Sequence, residues 1–361
     1  MTSRSLFRPT RSVAALAAAA TLALGVVACS DDDSDSASTT GAAASDSSDS
    51  SDSSDDQGTW PREVDSVVVN NGQAGKETEK VEIPAKPEKI VSTSVTLTGS
   101  LLAVDAPVVA SGGAKAGPTS DDKGFFSQWA DKADEKGVKA LWQLQPDLQK
   151  VAAEDPDLII VSAKGADTAA PQIDELKKIG APVLVLDYSD KTWNDITTEL
   201  GEATGHEKDA ADAIKSYEDR VAEVKENIKE PEQPVNFAFL AQTGKDLNFE
   251  TDESAQGRIL ADLGWEVAVP DASLVSDEYK GRPDVKQVTE EHLDKALVGK
   301  TALVSSAGNP NPAEAVKAIP TVQNTDVVKN DRVFQLKPDV FRIDYYSALS
   351  MLDQIEELFK K

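Results

Sequence analysis

The sequence holds a single cysteine and only two histidines in 361 residues. One cysteine excludes an internal disulfide and a cysteine-rich metal centre. His206 and His292 alone leave little for imidazole-based zinc, manganese or copper chemistry, so no metal site is expected. Positive charge is also scarce. Lys and Arg number 37 against 63 Asp and Glu, a net charge of −26. That argues against nucleic-acid binding, whose affinity comes from clustered basic side chains releasing counterions. It argues equally against electrostatic adhesion to anionic lipid. Enzyme signatures are missing too. There is no Gly-x-Ser-x-Gly elbow, and Gly112–Gly117 lacks the phosphate-loop pattern. Ser120–Lys123 matches Ser-x-x-Lys, but inside a loop rich in Gly and Asp. No catalytic function is expected.

A long apolar run is absent as well. The stretch from Val13 to Val27 falls short of the roughly 20 residues that a spanning helix needs. It follows Arg4, Arg8 and Arg11 and ends in Val26-Val27-Ala28-Cys29. A basic start, an apolar run and small residues at its end read as an export signal. The lone cysteine at that end resembles a bacterial lipobox. Residues 1–28 are then a signal peptide and Cys29 the acylated start of the mature chain. Several acyl chains anchor stably where one is marginal. The alternative, an ordinary signal peptide, leaves an unpaired thiol unexplained. The expected location is the extracytoplasmic face of the cell membrane.

Residues 29–58 read as a tether. Past Cys29 they are nearly all Ser, Asp, Ala, Thr and Gly, with nine Asp and no basic residue. Such a segment cannot bury enough apolar surface to offset its ordering entropy, and like charges extend it. Beyond residue 58, 34 basic and 54 acidic residues remain, a net charge of −20.

The rest reads as two α/β lobes. Short β-rich runs recur at Lys89–Ser94, Pro107–Ser111, Leu158–Ser162 and Pro182–Asp187. Several are continuously apolar, as buried parallel strands are. Helical stretches separate them at Thr98–Val104, Leu148–Glu154 and Ala170–Ile179, the last stopped by Gly180. The rhythm breaks at residues 206–230, where Ala210, Ile214, Tyr217, Val221, Val224 and Ile228 form one helical stripe. Pro231 and Pro234 end that helix. Strand-like runs resume at Val235–Ala241, Glu266–Val269, Thr301–Ser305 and Arg332–Leu336, and a final helix spans about Tyr345–Phe359. The expected division is a first lobe over 59–205, a linker helix over 206–233 and a second lobe over 234–361. Two α/β lobes on a tether, joined once through a helix, suggest a binding protein with its ligand between the lobes. A helical joint allows only small opening.

Four stretches point further: Ile90–Val104, Gly124-Phe-Phe-Ser-Gln-Trp-Ala, Pro156-Asp-Leu-Ile-Ile-Val-Ser and Phe341-Arg-Ile-Asp-Tyr-Tyr-Ser-Ala. Together they resemble the iron-siderophore solute-binding lipoproteins of ABC importers, in the ferric-enterobactin-binding branch. The resemblance spans about residues 60–361. It implies the periplasmic-binding-protein fold with a rigid helix linker (class III). It also implies a monomer that hands a ferric siderophore to ABC permease and ATPase subunits, with no cofactor and with iron held by the siderophore. The wider group also serves haem and cobalamin. Members carry a Glu in the helix before Pro-Asp-Leu-Ile that docks on a permease Arg. Here the matching position is Gln149, with Asp147 or Glu154 as substitutes; in the second lobe Glu291 fits the pattern.

A ferric tris-catecholate is a compact anion with rings outside, so its site needs cationic forks and aromatic or hydroxyl surfaces. The body has six arginines: Arg62, Arg220, Arg258, Arg282, Arg332 and Arg342. Arg suits delocalised oxyanions because its planar fork is weakly hydrated and stacks on rings. Arg342 lies between the last strand and the final helix; it faces the ligand or pairs with Asp344 or Asp339. Arg282 faces the ligand or pairs with Asp284. Arg258 reads as an exposed helix position. Trp142 is a candidate ring platform. Phe125, Phe126 and Trp129 read as core. Thr93, Ser94 and Thr96 open the first helix, where hydroxyl and N–H groups either meet an anion or only cap the helix. Of Tyr345 and Tyr346, one is expected to pack and one, Tyr345, to touch the ligand.

Overall fold

A computed structural model describes residues 58–143, 146–189 and 191–361. The signal, Cys29 and nearly all of the tether lie outside the described residues.

Twelve strands are found among the described residues. They are β1 (Arg62–Asn70), β2 (Gln73–Ile83), β3 (Ile90–Ser92), β4 (Val108–Gly113), β5 (Lys139–Gln143), β6 (Leu158–Ser162), β7 (Val183–Leu186), β8 (Val235–Leu240), β9 (Leu247–Glu250), β10 (Val285–Val288), β11 (Thr301–Ser305) and β12 (Val333–Gln335). The helices are α1 (Val95–Ala103), α2 (Ala130–Glu135), α3 (Leu148–Ala153), α4 (Ile173–Leu176), α5 (Trp193–Thr204), α6 (Glu207–Asn227), α7 (Ala255–Asp262), α8 (Leu293–Ala296), α9 (Pro312–Lys317), α10 (Asp326–Lys329) and α11 (Tyr345–Phe359).

The first lobe is a parallel sheet in the order β5-β4-β3-β6-β7. β3, β4, β6 and β7 are buried along nearly their whole length because both faces are covered, while the edge strand β5 leaves Lys139, Ala140 and Gln143 exposed. Leu158 and Ile160 of β6 join one core cluster, and Ile159 and Val161 join the other. The β1–β2 hairpin lies against β7, where the Val185 N–H donates to Ser66 Oγ at 3.0 Å. The second lobe is a mixed sheet in the order β10-β9-β8-β11-β12. β8, β11 and β12 run parallel, while β9 runs antiparallel to β8 and β10.

Gly205, at φ 72°, ends α5 and turns the chain into α6. That left-handed conformation costs glycine little. α6 buries Ala210, Ala213, Tyr217, Val221 and Val224. Ala213 rather than Ile214 completes the stripe, and Ile214 is half-buried. The Tyr217 hydroxyl donates to Asp262 Oδ2 at 2.6 Å, and Arg220 reaches Asp353 and Glu356 of α11.

The lobes also meet where α11 begins. Asp344 caps that helix by accepting from Ser347 N, and it accepts from Gln128 of the first lobe at 3.1 Å. Tyr346 packs against the first-lobe core.

The structure departs from the sequence reading in three places. Glu266–Val269 makes one isolated bridge, Val235 to Val267, instead of a strand. Ala170–Ile179 divides into a 3-10 turn, the single turn α4 and a second 3-10 turn, with Pro171 near its start. β1, β2, β5, β9, β10, α2, α5, α9 and α10 are additional to the expected elements.

Candidate functional site

Three adjoining pockets line the cleft between the lobes. The innermost, about 170 Å3, is walled by Thr93, Thr96, Phe126, Trp142, Asp167 and Arg342. The middle one, about 430 Å3, shares Thr96, Phe341 and Arg342 with it and adds Tyr188, Glu250 and Arg282. The outer one, about 890 Å3, shares Tyr188, Arg282 and Asp284 with the middle one and adds Trp193, Tyr217 and Arg258.

The first-lobe wall arises from the parallel sheet, whose strand C-termini open toward helix N-termini. β3 runs into Thr93, Ser94 and α1; β5 ends beside Trp142, and β7 leads to Tyr188. Gly112 permits the Trp142 placement, because a Cβ there would meet the indole at 2.9 Å and the Thr93 carbonyl at 2.9 Å. The N-terminus of α1 already holds an anion. Ser94 Oγ donates to Asp167 Oδ2 at 2.6 Å, and the Thr96 N–H donates to the same oxygen at 3.0 Å. A carboxylate there complements the helix dipole. Ser94 is fully buried and also accepts from Leu97 N, so it caps the helix rather than meeting the cleft. Thr96 keeps its hydroxyl in the cleft, where it accepts from Arg342 at 3.2 Å.

Arg342 pairs with neither Asp344 nor Asp339. Asp344 is held by Gln128 and Ser347, and Asp339 by Ser350 and Gln354. The Arg342 guanidinium lies 5.5 Å from the Phe126 ring centroid, within cation–π range. Arg282 lines the middle and outer pockets and also pairs with Asp284. Its fork closes on Asp284 at 3.0 and 2.6 Å, which raises the guanidinium pKa and holds the Asp284 carboxyl below its usual range. Arg258 is exposed, as read from the sequence, but its exposure is to the outer pocket. Its Nε donates to the Glu253 carbonyl at 3.3 Å.

The other body arginines have carboxylate partners: Arg62 with Glu207, Arg220 with Glu223, Asp353 and Glu356, and Arg332 with Glu232. Among the described residues, Arg342 and Arg258 are therefore the arginines without an ion pair, and both line the cleft.

Trp142 lines the innermost pocket, half-buried. Phe125, Phe126 and Trp129 are buried core, as read, and Phe126 also borders the innermost pocket. Tyr345 lies against Trp193, with centroids 6.1 Å apart, and its hydroxyl donates to Ser216 of α6 at 3.4 Å; it lines none of the three cleft pockets. Gln149 is exposed on α3 at a separate groove. Neither proposed substitute for it is free: Glu154 pairs with Lys139 at 2.6 Å, and Asp147 caps α3. Glu291 is exposed, while its neighbour Glu290 pairs with Lys245.

Tyr188, Phe341, Asp167 and Glu250 were not singled out from the sequence. Tyr188 lies just past β7, and burial first, then the Asp167 charge, raises its hydroxyl pKa. Phe341 is 44% exposed at the pocket and meets Phe239 edge-on, with centroids 5.2 Å apart. An aromatic just past a strand end was the available signal for Tyr188. For Glu250 it was an acid closing the short alternating stretch Leu247-Asn-Phe-Glu.

No helix among the described residues is long and apolar enough to cross a membrane. The described residues hold no cluster of metal-ligating side chains.

A two-lobed fold with a ligand-sized cleft defines a solute-binding protein, and comparison with known proteins agrees. The family model described as periplasmic binding protein matches residues 90–340, and the chain belongs to that family. The ferric enterobactin-binding periplasmic protein FepB of Escherichia coli O6:H1 is 41% identical over 302 residues, covering 83% of this chain and 91% of FepB. A putative ABC transporter substrate-binding lipoprotein of Bacillus subtilis, YhfQ, is 28% identical over 231 residues, covering 59% of this chain and 67% of that protein. Among solved structures, holo-ViuP superposes with a TM-score of 0.71 at 31% identity, covering 84% of this chain and 97% of ViuP. The FhuD protein of Staphylococcus pseudintermedius shares the fold, with a TM-score of 0.61 at 20% identity over 81% of this chain and 98% of its own.

Proposed function

We propose that this protein is the substrate-binding component of an ABC importer and captures a ferric siderophore of the catecholate, enterobactin-like type. The observation that carries this reading is the 41% identity to a protein named for binding ferric enterobactin. The cleft chemistry agrees with it. Two guanidiniums without carboxylate partners face the space between the lobes, and Trp142, Phe126 and Phe341 offer ring surfaces beside one of them. A desolvated fork binds spread oxyanion charge more strongly than a wet surface pair does. No protein ligand to iron is required, because the chelator fills the metal's coordination shell.

Titration of tryptophan fluorescence in the full chain with ferric enterobactin, a ferric hydroxamate, haem and cobalamin tests the reading. Quenching that saturates with the catecholate at the lowest concentration is expected. Preference for haem or cobalamin overturns it.

The anchor and the docking surfaces belong to the same proposal. Cys29 carries acyl chains that hold the protein, as a monomer, at the outer face of the cell membrane, and Cys29→Ser then leaves the membrane fraction. Glu291 and the Gln149 position meet the permease, which works with ATPase subunits. Glu291→Ala then lowers iron uptake while leaving siderophore binding unchanged; unaltered uptake contradicts the docking role.

A further inference from the structure

Glu250 is the last residue of β9 and lies in register with Phe237 of β8 and Val285 of β10. Asn248, two residues earlier, shares its face, and both line the middle pocket of the cleft. Phe249 between them points into the core on the opposite face. Glu250 is 9% exposed, yet among the described residues it makes no ion pair. Arg282, the cation that shares its pocket, is closed onto Asp284 through two bonds. A second charged carboxylate here would stand buried beside Asp284, with Arg282 already engaged and with no ion pair to Arg342, whose guanidinium is turned to Thr96 and the Phe126 ring; burial and like charge both oppose that arrangement.

The groups around Glu250 are known from each side. Asp284 precedes β10, and Lys286 on β10 turns its amine to the Arg282 carbonyl. Arg282 and Tyr279 come from the segment before β10, Ser254 from the start of α7, and Tyr188 and Arg342 face the same pocket. Phe237 from β8 brings no charge. Burial first, then the Asp284 charge, pushes the Glu250 carboxyl up to about 8, against smaller opposing effects of Ser254 and Arg282.

We infer that Glu250 meets the bound ligand as an uncharged carboxylic acid and donates its O–H to an anionic oxygen. Arg342 and Arg258 attract the charge of the anion, and Glu250 reads its hydrogen-bonding edge. The inference rests on the siderophore reading only in taking the ligand to be an anion.

Ferric enterobactin is the probe, titrated into the full chain from pH 6 to 9.5. The proteins compared are wild type, Glu250→Gln and Glu250→Met. Only the protonated fraction is competent, so wild-type affinity stays flat below pH 7 and weakens about tenfold per unit above pH 8. The Gln variant keeps a donor, holds its affinity within about threefold of wild type at pH 6.5, and loses the pH dependence. That loss assigns the dependence to Glu250. The Met variant is neutral without a donor and binds about tenfold more weakly at pH 6.5. Wild-type affinity unchanged to pH 9.5, or a Met variant equal to Gln, overturns the inference.

Thermal melts without ligand supply a separate arm. The folded acid holds its proton above the ordinary carboxyl range, so the folded state binds more protons than the unfolded one, and stability falls as pH rises from about 4.5 to about 8. Wild type then loses melting temperature across that window relative to Glu250→Gln. Parallel curves overturn the uncharged carboxyl whatever the ligand. A chain that binds none of the ferric siderophores overturns the siderophore reading, and the melts then decide this inference alone.

Discussion

The first-lobe wall of the cleft offers hydroxyls, the indoles of Trp142 and Trp193 and the Tyr188 phenol; its cation, Lys191, is paired with Glu199, and its acid, Asp167, is turned onto the N-terminus of α1. The second-lobe wall offers Arg258, Arg282, Asp284 and Glu250, and the chain leaving it toward α11 adds Phe341 and Arg342. The difference originates in the two sheets. In the first lobe all five strands are parallel and all but the edge strand β5 are covered on both faces, so residues at the strand ends and in the loops beyond them reach the cleft. In the second lobe β9 and β10 form an antiparallel edge, and side chains along the strand, Asn248 and Glu250, reach the cleft directly. On the proposed function, the first wall supplies mostly ring and hydroxyl surface for the ligand, and the second supplies the unpaired charge that meets an anion.

Removing the free fork breaks this division most sharply. Arg342→Ala is expected to weaken ferric-catecholate binding by about 2–4 kcal/mol, because the guanidinium has no carboxylate to replace the ligand. Arg342→Lys recovers part of that loss, since it keeps the charge and loses the fork. Undiminished affinity in calorimetric titration of a folded Arg342→Ala would mean that this charge does not hold the ligand.

The ring surface of the first wall comes next. Trp142→Ala should cost about 1–2 kcal/mol in binding, with Trp142→Phe between it and wild type. A loss in melting temperature without a loss in affinity would make Trp142 a packing residue only.

The smallest expected effect is in shape. α6, the Gln128–Asp344 bond and the Thr96–Arg342 bond tie the lobes at several points. Small-angle scattering of free and loaded protein should give nearly the same radius of gyration. A change of several ångströms contradicts a stiff joint.

Much of the fold was legible in the residues. β6 and β11 are short apolar runs bounded by polar residues, and α11 has a clear stripe and a capping acid, so their limits are found where expected. The hairpin β1–β2 was not legible. Gln73-Ala-Gly-Lys-Glu-Thr-Glu-Lys is charged and mostly exposed, so it carries no burial signal. β9 and β10 are four residues each, and polar positions at Asn248, Lys286 and Gln287 blur their period.

The site was half legible. Arg342 stood out as a rare arginine at a junction, and the Asp284 that occupies Arg282 stands two residues from it. Nothing local in the sequence says that α7 turns Arg258 toward the cleft, or that Asp167 crosses to α1. Those facts depend on which loops the two sheets bring together.

If recognition falls on the arginines left without carboxylate partners, the three cleft arginines must differ when compared side by side. Ferric enterobactin is titrated into full-length Arg342→Ala, Arg258→Ala and Arg282→Ala at one pH and salt concentration. The largest loss is expected for Arg342, about 1 kcal/mol for Arg258, and the smallest for Arg282, whose fork is already closed on Asp284. A loss at Arg282 that equals or exceeds the one at Arg342 would contradict recognition by the unpaired arginines.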